Sequence, residues 1–335
     1  MNEKWLFALN LMASKWINFI HKSKFERTDI HKIVCVKLDE IGDMATCVHV
    51  FAALREKYPS AHISVVCKPF VRSLIHHDPN IDSILKADQL IGLKADLWLE
   101  LRGTWRSLFY SLISGAKIRL DRGTIRFRQR GNQAHEYFSN FNIIEPLGCV
   151  QKEPKLYPGQ GEELTALEWI QKWGSKPFAI IHAGGRRELR QWSPLKFAEI
   201  TDLLYQKYGM ISILLGAENE KEILETICKN SKSSPIIWIN KDSLLVFYAV
   251  VKRAALFVGN ESGPLQIADI ANTPCVGLFG PGVPNVFYPR NSHSRVLHEV
   301  LSCNPCDQIH CVHPENPCIQ RISVEKVTQQ IQEIL

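Results

Sequence analysis

Short apolar runs alternate with longer amphipathic segments along most of the chain. In the first half, apolar runs typical of buried strands occur at residues 32–38, 62–68 and 95–101. Gly42 and Asp43 follow the first of these strands, and the periodicity then predicts a helix over residues 44–58. Such alternation predicts βαβ units around a parallel sheet.

The second half repeats this alternation. Its strands are predicted at residues 177–185, 210–217 and 256–259, and its helices include residues 218–231 and 243–254. A further helix is predicted to begin after Ser193, with Pro194 in its first turn, and to end at Gly209. In sheets of this kind ligands bind at the carboxyl ends of the strands, where helix N-termini present amide donors.

Proline and glycine residues interrupt both periodicities between residues 149 and 163. We therefore predict an N-terminal amphipathic helix over residues 1–28, a first lobe over residues 29–152 and a second lobe over residues 153–335. The total of 335 residues suits two domains. The predicted fold class is α/β, with two Rossmann-like, doubly wound lobes and a cleft between them.

Residues 5–20 are apolar but interrupted by polar side chains. Asn10, Ser14 and Asn18 recur at helical spacing and leave the large apolar side chains largely on the other side of a helix. The segment is too short and too polar to span a membrane. Two interpretations are open: an interfacial helix in peripheral contact with a membrane, or a helix packed on its own domain.

Charge and cysteine content narrow the function. A net charge of +6 with scattered basic residues argues against a nucleic-acid partner, which would favour a basic stripe. Ten cysteines in a long chain without a recognisable signal peptide indicate reduced thiols and a cytoplasmic location. Anionic small molecules and anionic lipid surfaces stay open as partners.

Four separated motifs carry a resemblance to a known family. They are "VKLDEIGDMATCVHVFAALREKYPSAHISVV", "IIHAGGRRELRQWSPLKFAEI", "ILLGAENEKE" and "LFVGNESGPLQIADIANTPCVGLFGP". In order and spacing they resemble glycosyltransferase family 9, which includes the ADP-heptose:lipopolysaccharide heptosyltransferases. The resemblance implies a GT-B fold, an inverting transfer, a nucleotide-diphosphate-sugar donor held mainly by the second lobe, and no cofactor or metal for the transfer itself.

The same resemblance marks Asp43 as the catalytic base. Inverting transfer needs a group that takes the proton of the acceptor hydroxyl while a diphosphate departs. Asp43 with Gly42 matches the Gly-Asp motif of the family, at the end of the first strand. The alternative is that Asp43 caps the following helix, and Asp39 and Glu40 lie nearby but off the motif.

The donor residues are expected in the second lobe. Arg190 stands where the family usually has a lysine and is a candidate for gripping the diphosphate. Glu261 replaces the usual aspartate and is assigned to sugar hydroxyls, while Glu218 either binds ribose hydroxyls or stabilises a helix N-terminus. The remaining candidates offer backbone amides or close backbone approach to phosphate: Gly184, Gly185, Ser262 and Gly263. Ser262 and Gly263 are expected to begin a helix, with Pro264 in its first turn. Gln266 stands where the family commonly has histidine.

A cysteine-rich segment lies near the C-terminus. We call Cys303, Cys306, Cys311 and Cys318 the cysteine cluster. Their spacing, with His313 nearby, has the character of a structural zinc site. The alternative is a set of reduced or disulfide-paired cysteines that hold the tail, and either interpretation is structural.

The sequence thus predicts a glycosyltransferase that moves a sugar, heptose being one candidate, from a nucleotide diphosphate to a lipid-linked or surface glycan. The resemblance implies that the first lobe binds the acceptor, with arginines as candidate contacts: Arg102, Arg106, Arg126, Arg128 and Arg130. The alternative is that these arginines form an ordinary basic surface. The alternatives are a non-catalytic nucleotide-sugar-binding scaffold and a sugar-nucleotide epimerase of the same fold. A cytoplasmic location is expected, and peripheral contact with the inner face of the cytoplasmic membrane is one of the two open interpretations of residues 5–20.

Overall fold

The computed structural model describes residues 29–90, 92–101, 105–121, 134–306 and 308–335, with only the backbone described for residues 105–108. Within it the chain forms two compact units, the first ending at Tyr157 and the second beginning at Pro158. Several predicted features lie outside the described residues: the segment 5–20, Arg102, Arg126, Arg128, Arg130 and the side chain of Arg106.

The first unit is built on a parallel sheet. Its strands are β1 (Lys32–Lys37), β2 (His62–Cys67), β3 (Ser83–Leu85), β4 (Leu97–Glu100) and β5 (Ile118–Asp121). They pair in parallel in the order β3-β2-β1-β4-β5. Its helices are α1 (Ile41–Ala45), α2 (Val48–Lys57), α3 (Arg72–Ile75), α4 (Trp105–Ile113) and α5 (Glu136–Ile144). The strands are largely apolar because helices cover a parallel sheet on both faces.

The prediction of one helix over residues 44–58 was wrong, because the structure breaks it into α1 and α2. At the break, Thr46 Oγ1 donates to the carbonyl of Asp43 over 3.1 Å. The Thr46 carbonyl accepts from Asn140 Nδ2 over 3.2 Å, a donor distant in sequence. Side-chain hydrogen bonds therefore replace helical ones at this point.

The second unit contains a six-stranded parallel sheet. Its strands are β6 (Phe178–His182), β7 (Ile211–Gly216), β8 (Ile236–Ile239), β9 (Leu256–Asn260), β10 (Cys275–Phe279) and β11 (Arg295–His298). The order is β11-β10-β9-β6-β7-β8, so β6 and β9 are central neighbours. The helices are α6 (Gln160–Trp173), α7 (Pro194–Tyr208), α8 (Lys221–Asn230), α9 (Leu244–Val251), α10 (Gly263–Ile270), α11 (Pro284–Phe287) and α12 (Val324–Ile334).

Local helix signals in this unit are confirmed. Helix α7 begins at Pro194 after Ser193 and ends before Gly209, whose φ of 63° is the left-handed conformation that glycine adopts without strain. Helix α10 begins at Gly263 after Ser262, with Pro264 in its first turn. Both helices therefore start directly after loops at the carboxyl ends of β6 and β9.

The core of the second unit is apolar and closely packed. Ile181, Leu214 and Val258, from three adjacent strands, are fully buried, and Ile331 of α12 belongs to the same cluster. Burial of such side chains is worth roughly 1.5–3 kcal/mol each and fixes the strand ends that carry the polar loops. Across the described part of the chain, no helix has the length and apolar character needed to cross a membrane.

Candidate functional site

Two loops meet at the carboxyl ends of the central strands β6 and β9. Asn260, the last residue of β9, is fully buried and holds the loop that follows β6. Its Nδ2 donates to the carbonyls of Ala183 and Gly184 over 2.7 and 3.1 Å, and its Oδ1 accepts from the Trp192 amide over 3.1 Å. Asn260 thus fixes both ends of a loop, residues 183–192, that we call the arginine loop.

Arg190 of the arginine loop faces the loop after β9. Its Nη1 lies 3.2 Å from Glu261 Oε1. Its Nε donates to Gln308 Oε1 over 2.7 Å, and its Nη2 contacts the same oxygen. The Arg190 side chain keeps 26% of its surface exposed.

Glu261 is a buried carboxylate beside these arginines. Its side chain is 5% exposed, and among the described residues Oε2 has no hydrogen-bond partner. Burial raises the pKa of Glu261, and the charges of Arg190 and Arg187 oppose that rise. A Cβ at Gly282 would lie 2.8 Å from Glu261 Cδ and closer still to Oε2. Glycine at 282 is therefore what admits the longer acidic side chain.

The N-cap residue of α10 does not cap the amides of the first helical turn with its side chain. Ser262 has the extended backbone of an N-cap, but its side chain makes no capping hydrogen bond. Instead, Ser262 Oγ lies 3.2 Å from Nδ1 of His182. The first amides of a helix have no intrahelical partner, so those of Gly263 and Leu265 are suited to an anionic ligand. Pro264 has no amide hydrogen, but no helical hydrogen bond is lost, because an amide in the first turn has no partner within the helix.

His182 continues this contact towards Glu220. His182 Nε2 lies 3.8 Å from Glu220 Oε2, which also accepts from the Ala217 amide over 2.9 Å. Burial lowers the pKa of His182, and Glu220 opposes that shift. A Cβ at Gly184 would overlap the Glu220 carboxylate, so this glycine makes room for a side chain of the protein. Sequence reasoning missed both residues: His182 is the last residue of β6, and Glu220 ends the 3₁₀ turn that follows β7.

For three other residues that the sequence singled out, the structure shows no hydrogen bond or ion pair with Arg190 or Glu261 among the described residues. Glu218 begins a 3₁₀ turn after β7, and its side chain is 65% exposed with Oε2 3.2 Å from Lys241 Nζ. At Gly185 a Cβ would make only an ordinary contact with Gln191, 3.7 Å away, so sterics do not require glycine there. Gln266 is buried and donates to the Phe287 carbonyl over 2.6 Å, which gives it a structural partner.

In the first unit, Asp43 is the half-buried third residue of α1. The N-cap of this helix is Glu40, so Asp43 does not occupy the capping position that was its alternative role. Glu40 lies 2.7 Å from Lys68 Nζ, and Asp39 lies 3.1 Å from the buried Lys37 Nζ. The two neighbouring carboxylates are thus engaged in ion pairs within the unit. Gly42 precedes Asp43 and is also half-buried.

The four members of the cysteine cluster line one small cavity. Leu189 of the arginine loop and His310 line it too. All ten cysteines of the chain are free, which excludes the disulfide-paired alternative in this structure. Burial and the neighbouring Cys311 and Cys303 raise the pKa of Cys318. Among the described residues, no three sulfurs of the cluster lie within 4.8 Å of one another, so they are not arranged as closely as in a bound zinc site.

Comparison with known proteins fits this arrangement. Residues 134–316 match the model of glycosyltransferase family 9 (heptosyltransferase). A lipooligosaccharide heptosyltransferase 2 of Campylobacter jejuni is 25% identical over 308 residues, 88% of this chain and 95% of the relative. The lipopolysaccharide core heptosyltransferase OpsX of Haemophilus influenzae is 24% identical, covering 81% of this chain and 85% of the relative.

Solved structures confirm the fold class. A family 9 glycosyltransferase from Veillonella parvula has a TM-score of 0.78 at 20% identity, covering 91% of this chain and 97% of that one. The ADP-heptose lps heptosyltransferase II of E. coli has a TM-score of 0.72 at 17% identity, covering 90% and 98%. These proteins share the GT-B fold that the two parallel-sheet units indicate. With its family match spanning more than half of its length, this chain belongs to glycosyltransferase family 9 and is a glycosyltransferase.

Proposed function

We propose that this enzyme transfers a heptosyl group from an ADP-heptose-type donor to a hydroxyl of a lipopolysaccharide-type acceptor, with inversion at the anomeric carbon. The proposal that this site binds the donor rests on one observation: Arg190 contacts Glu261, which lies directly before the uncapped start of α10. The relatives named above are heptosyltransferases, and one similar solved structure is an E. coli heptosyltransferase with ADP. These names support heptose and adenine as the donor parts.

In this proposal the diphosphate lies between the arginine loop and α10. Arg190 offers N–H donors and positive charge, and the amides of Gly263 and Leu265 offer further donors with the positive end of the helix dipole. Glu261 would accept hydrogen bonds from sugar hydroxyls, a role that suits its unpartnered Oε2. Glu218 would contact the ribose after release from Lys241, and Gly185 would allow close approach of phosphate to the backbone.

Asp43 is the proposed base. The acceptor oxygen forms a bond to the anomeric carbon as the bond from that carbon to the donor phosphate breaks. The hydroxyl proton passes to the Asp43 carboxylate, and the nucleoside diphosphate leaves with the electron pair of the broken bond. Stabilisation of that leaving charge by Arg190 and the α10 amides replaces the metal ion that other transferases use, so no cofactor is needed for this step.

The cysteine cluster is proposed as a structural metal site. Four thiols around one cavity suit zinc if the sulfurs move together on binding, and a closed set of four ligands leaves no position for catalysis. With reduced thiols, the enzyme would work in the cytoplasm on an acceptor at the inner face of the membrane. Peripheral membrane contact through residues 5–20 stays a prediction.

The two alternative functions are less well supported. A sugar-nucleotide epimerase would turn over its donor without any acceptor, and a scaffold would bind the donor without turnover. The family match and the named relatives favour a transferase over both.

Nucleotide binding and transfer test the proposal together. Calorimetry with ADP, UDP and GDP should show selective ADP binding, weakened roughly 10- to 100-fold by Arg190→Ala. Arg253→Ala, which removes an arginine paired with Glu163 away from the site, is the matched control and should bind normally. Asp43→Asn should retain ADP binding and lose about 100- to 10,000-fold in kcat. Failure of the folded wild-type protein to bind any of the three nucleotides would refute the donor site.

A further inference from the structure

One side chain from the cysteine-rich tail enters the arginine loop. Gln308 Oε1 accepts from Arg190 Nε over 2.7 Å and from Arg187 Nη1 over 3.1 Å, and it also contacts Arg190 Nη2. A neutral amide oxygen thus receives N–H groups from two arginines. Sequence reasoning assigned no role to Gln308, which lies more than a hundred residues after its partners.

The contacts of Arg190 leave one defined part of the guanidinium open. An arginine has five N–H donors in a rigid planar fork. Gln308 takes the edge formed by Nε and Nη2, and Glu261 Oε1 takes a position on Nη1. One N–H on each terminal nitrogen is left as a donor. A guanidinium with donors on two nitrogens can contact two phosphate oxygens at once.

We propose that Gln308 is a positioning residue that aligns Arg187 and Arg190 for the diphosphate of the donor. This inference rests on the proposed function, because it assigns the open edge of Arg190 to the donor phosphates. Gln308 and Glu261 hold the guanidinium from two sides, so its orientation is set before the ligand arrives. Preorganised donors of this kind need no rearrangement when charge develops on the leaving group.

The backbone of Gln308 is fixed by the cysteine cluster. Its φ of 63° lies in the left-handed region, which is sparsely populated by residues that carry a Cβ. Its amide donates to Cys306 Sγ over 3.3 Å. Cys306 lines the same cavity as Leu189, the neighbour of Arg190 in the arginine loop. The tail therefore contacts the arginine loop both through the cavity wall and through the Gln308 side chain.

The positive φ of Gln308 suggests a substitution that removes the side chain without disturbing the backbone. Gln308→Gly removes the side chain and places at this position the residue that adopts a positive φ without strain, so the fold should be kept. Gln329→Ala is the matched control, because Gln329 lies on α12 and bonds to Glu333 within the same helix. Thermal unfolding of both variants should match that of the wild-type protein.

The test compares ADP with AMP, which lacks the second phosphate. Gln308→Gly should raise the ADP dissociation constant roughly 10-fold and change that of AMP less than about 3-fold. In an Arg190→Ala background the same change should have a much smaller effect, because the group that Gln308 orients is gone. Gln329→Ala should leave both nucleotides unaffected.

Two outcomes separate this inference from the proposed function. If the wild-type protein binds ADP and Gln308→Gly binds it equally well, positioning by Gln308 is refuted while the donor site stands. Tighter ADP binding by Gln308→Gly also refutes positioning, since it would mean that the amide oxygen competes with phosphate for the arginines. If the wild-type protein itself binds no ADP, the donor site fails and the inference fails with it.

Discussion

The sharpest prediction concerns Asn260, a buried side chain that would not touch the donor in our proposal. Its three hydrogen bonds to Ala183, Gly184 and Trp192 hold the arginine loop on the end of β9. In Asn260→Ala the two carbonyls and the Trp192 amide lose their partner in a fully buried position. At about 1 kcal/mol for each hydrogen bond, the loss is about 3 kcal/mol of unfolding free energy.

That loss should have a functional consequence beyond stability. A loop released at both ends no longer fixes Arg190 against Glu261, so ADP affinity should fall roughly 10-fold at a temperature where the variant is still folded. A loss of about 3 kcal/mol is a large part of a typical stability of about 5–15 kcal/mol, so binding is measured well below the melting transition.

The assay is urea unfolding followed by circular dichroism, combined with calorimetry of ADP binding. Asn230→Ala is the matched control: Asn230 is exposed at the end of α8, and its Nδ2 donates to the Thr226 carbonyl one turn away over 2.8 Å. It should change the unfolding free energy by less than about 0.5 kcal/mol. If Asn260→Ala costs under about 1 kcal/mol and binds ADP like the wild-type enzyme, the loop does not depend on this anchor.

Three further predictions follow from the same contacts. Gly282→Ala should reduce transfer roughly 10-fold by pushing the Glu261 carboxylate aside, and adding Glu261→Asp should restore part of the activity. Gly161→Ala, whose added Cβ has nothing within 4 Å, is the control. Because burial holds the pKa of His182 below its ordinary value of 6.5, the unfolded chain binds a proton there that the folded chain does not. The unfolding free energy should therefore fall as pH drops below about 6.5. In urea unfolding at about pH 5.5 and 7.5, His182→Asn should show a smaller fall than the wild-type protein. Equal pH dependence of the two proteins would contradict this explanation. Elemental analysis of the purified protein should find about one zinc ion per chain, and none when the cysteine cluster is changed to serine. The metal site would be refuted by wild-type protein that is as stable without metal as with it.

Elements with strong local signals were predictable from the sequence. The start of α10 is an example, because a serine at the N-cap position and a proline in the first turn both favour a helix start. The break between α1 and α2 was not predictable, because part of it depends on Asn140 donating to the Thr46 carbonyl from another helix. Periodicity reports the burial of side chains, but it does not report a hydrogen bond that arrives from elsewhere in the fold.

At the candidate site, too, the residues could be predicted from the sequence but their contacts with one another could not. Sequence reasoning selected Arg190 and Glu261 through the family resemblance, yet it assigned one to phosphate and the other to sugar with no contact between them. Their 3.2 Å approach depends on how two loops lie on adjacent strands. The oxygen of Gln308, supplied by the tail, has no local signal at all, since neither charge nor spacing marks a lone glutamine.

Two departures from the pattern that the family resemblance implies are related through this geometry. The resemblance implies lysine at position 190 and aspartate at position 261, where this chain has arginine and glutamate. A lysine presents its donors from a single nitrogen, whereas the arginine fork can contact Glu261 and Gln308 and still direct two N–H groups elsewhere. The longer acid reaches the fork only because Gly282 leaves its space empty. Four residues therefore form one connected unit: Arg190 contacts Glu261 and Gln308, and Gly282 leaves room for the Glu261 carboxylate. A lysine placed alone at position 190 would leave Gln308 and Glu261 competing for the same ammonium group, with no fixed edge for the diphosphate.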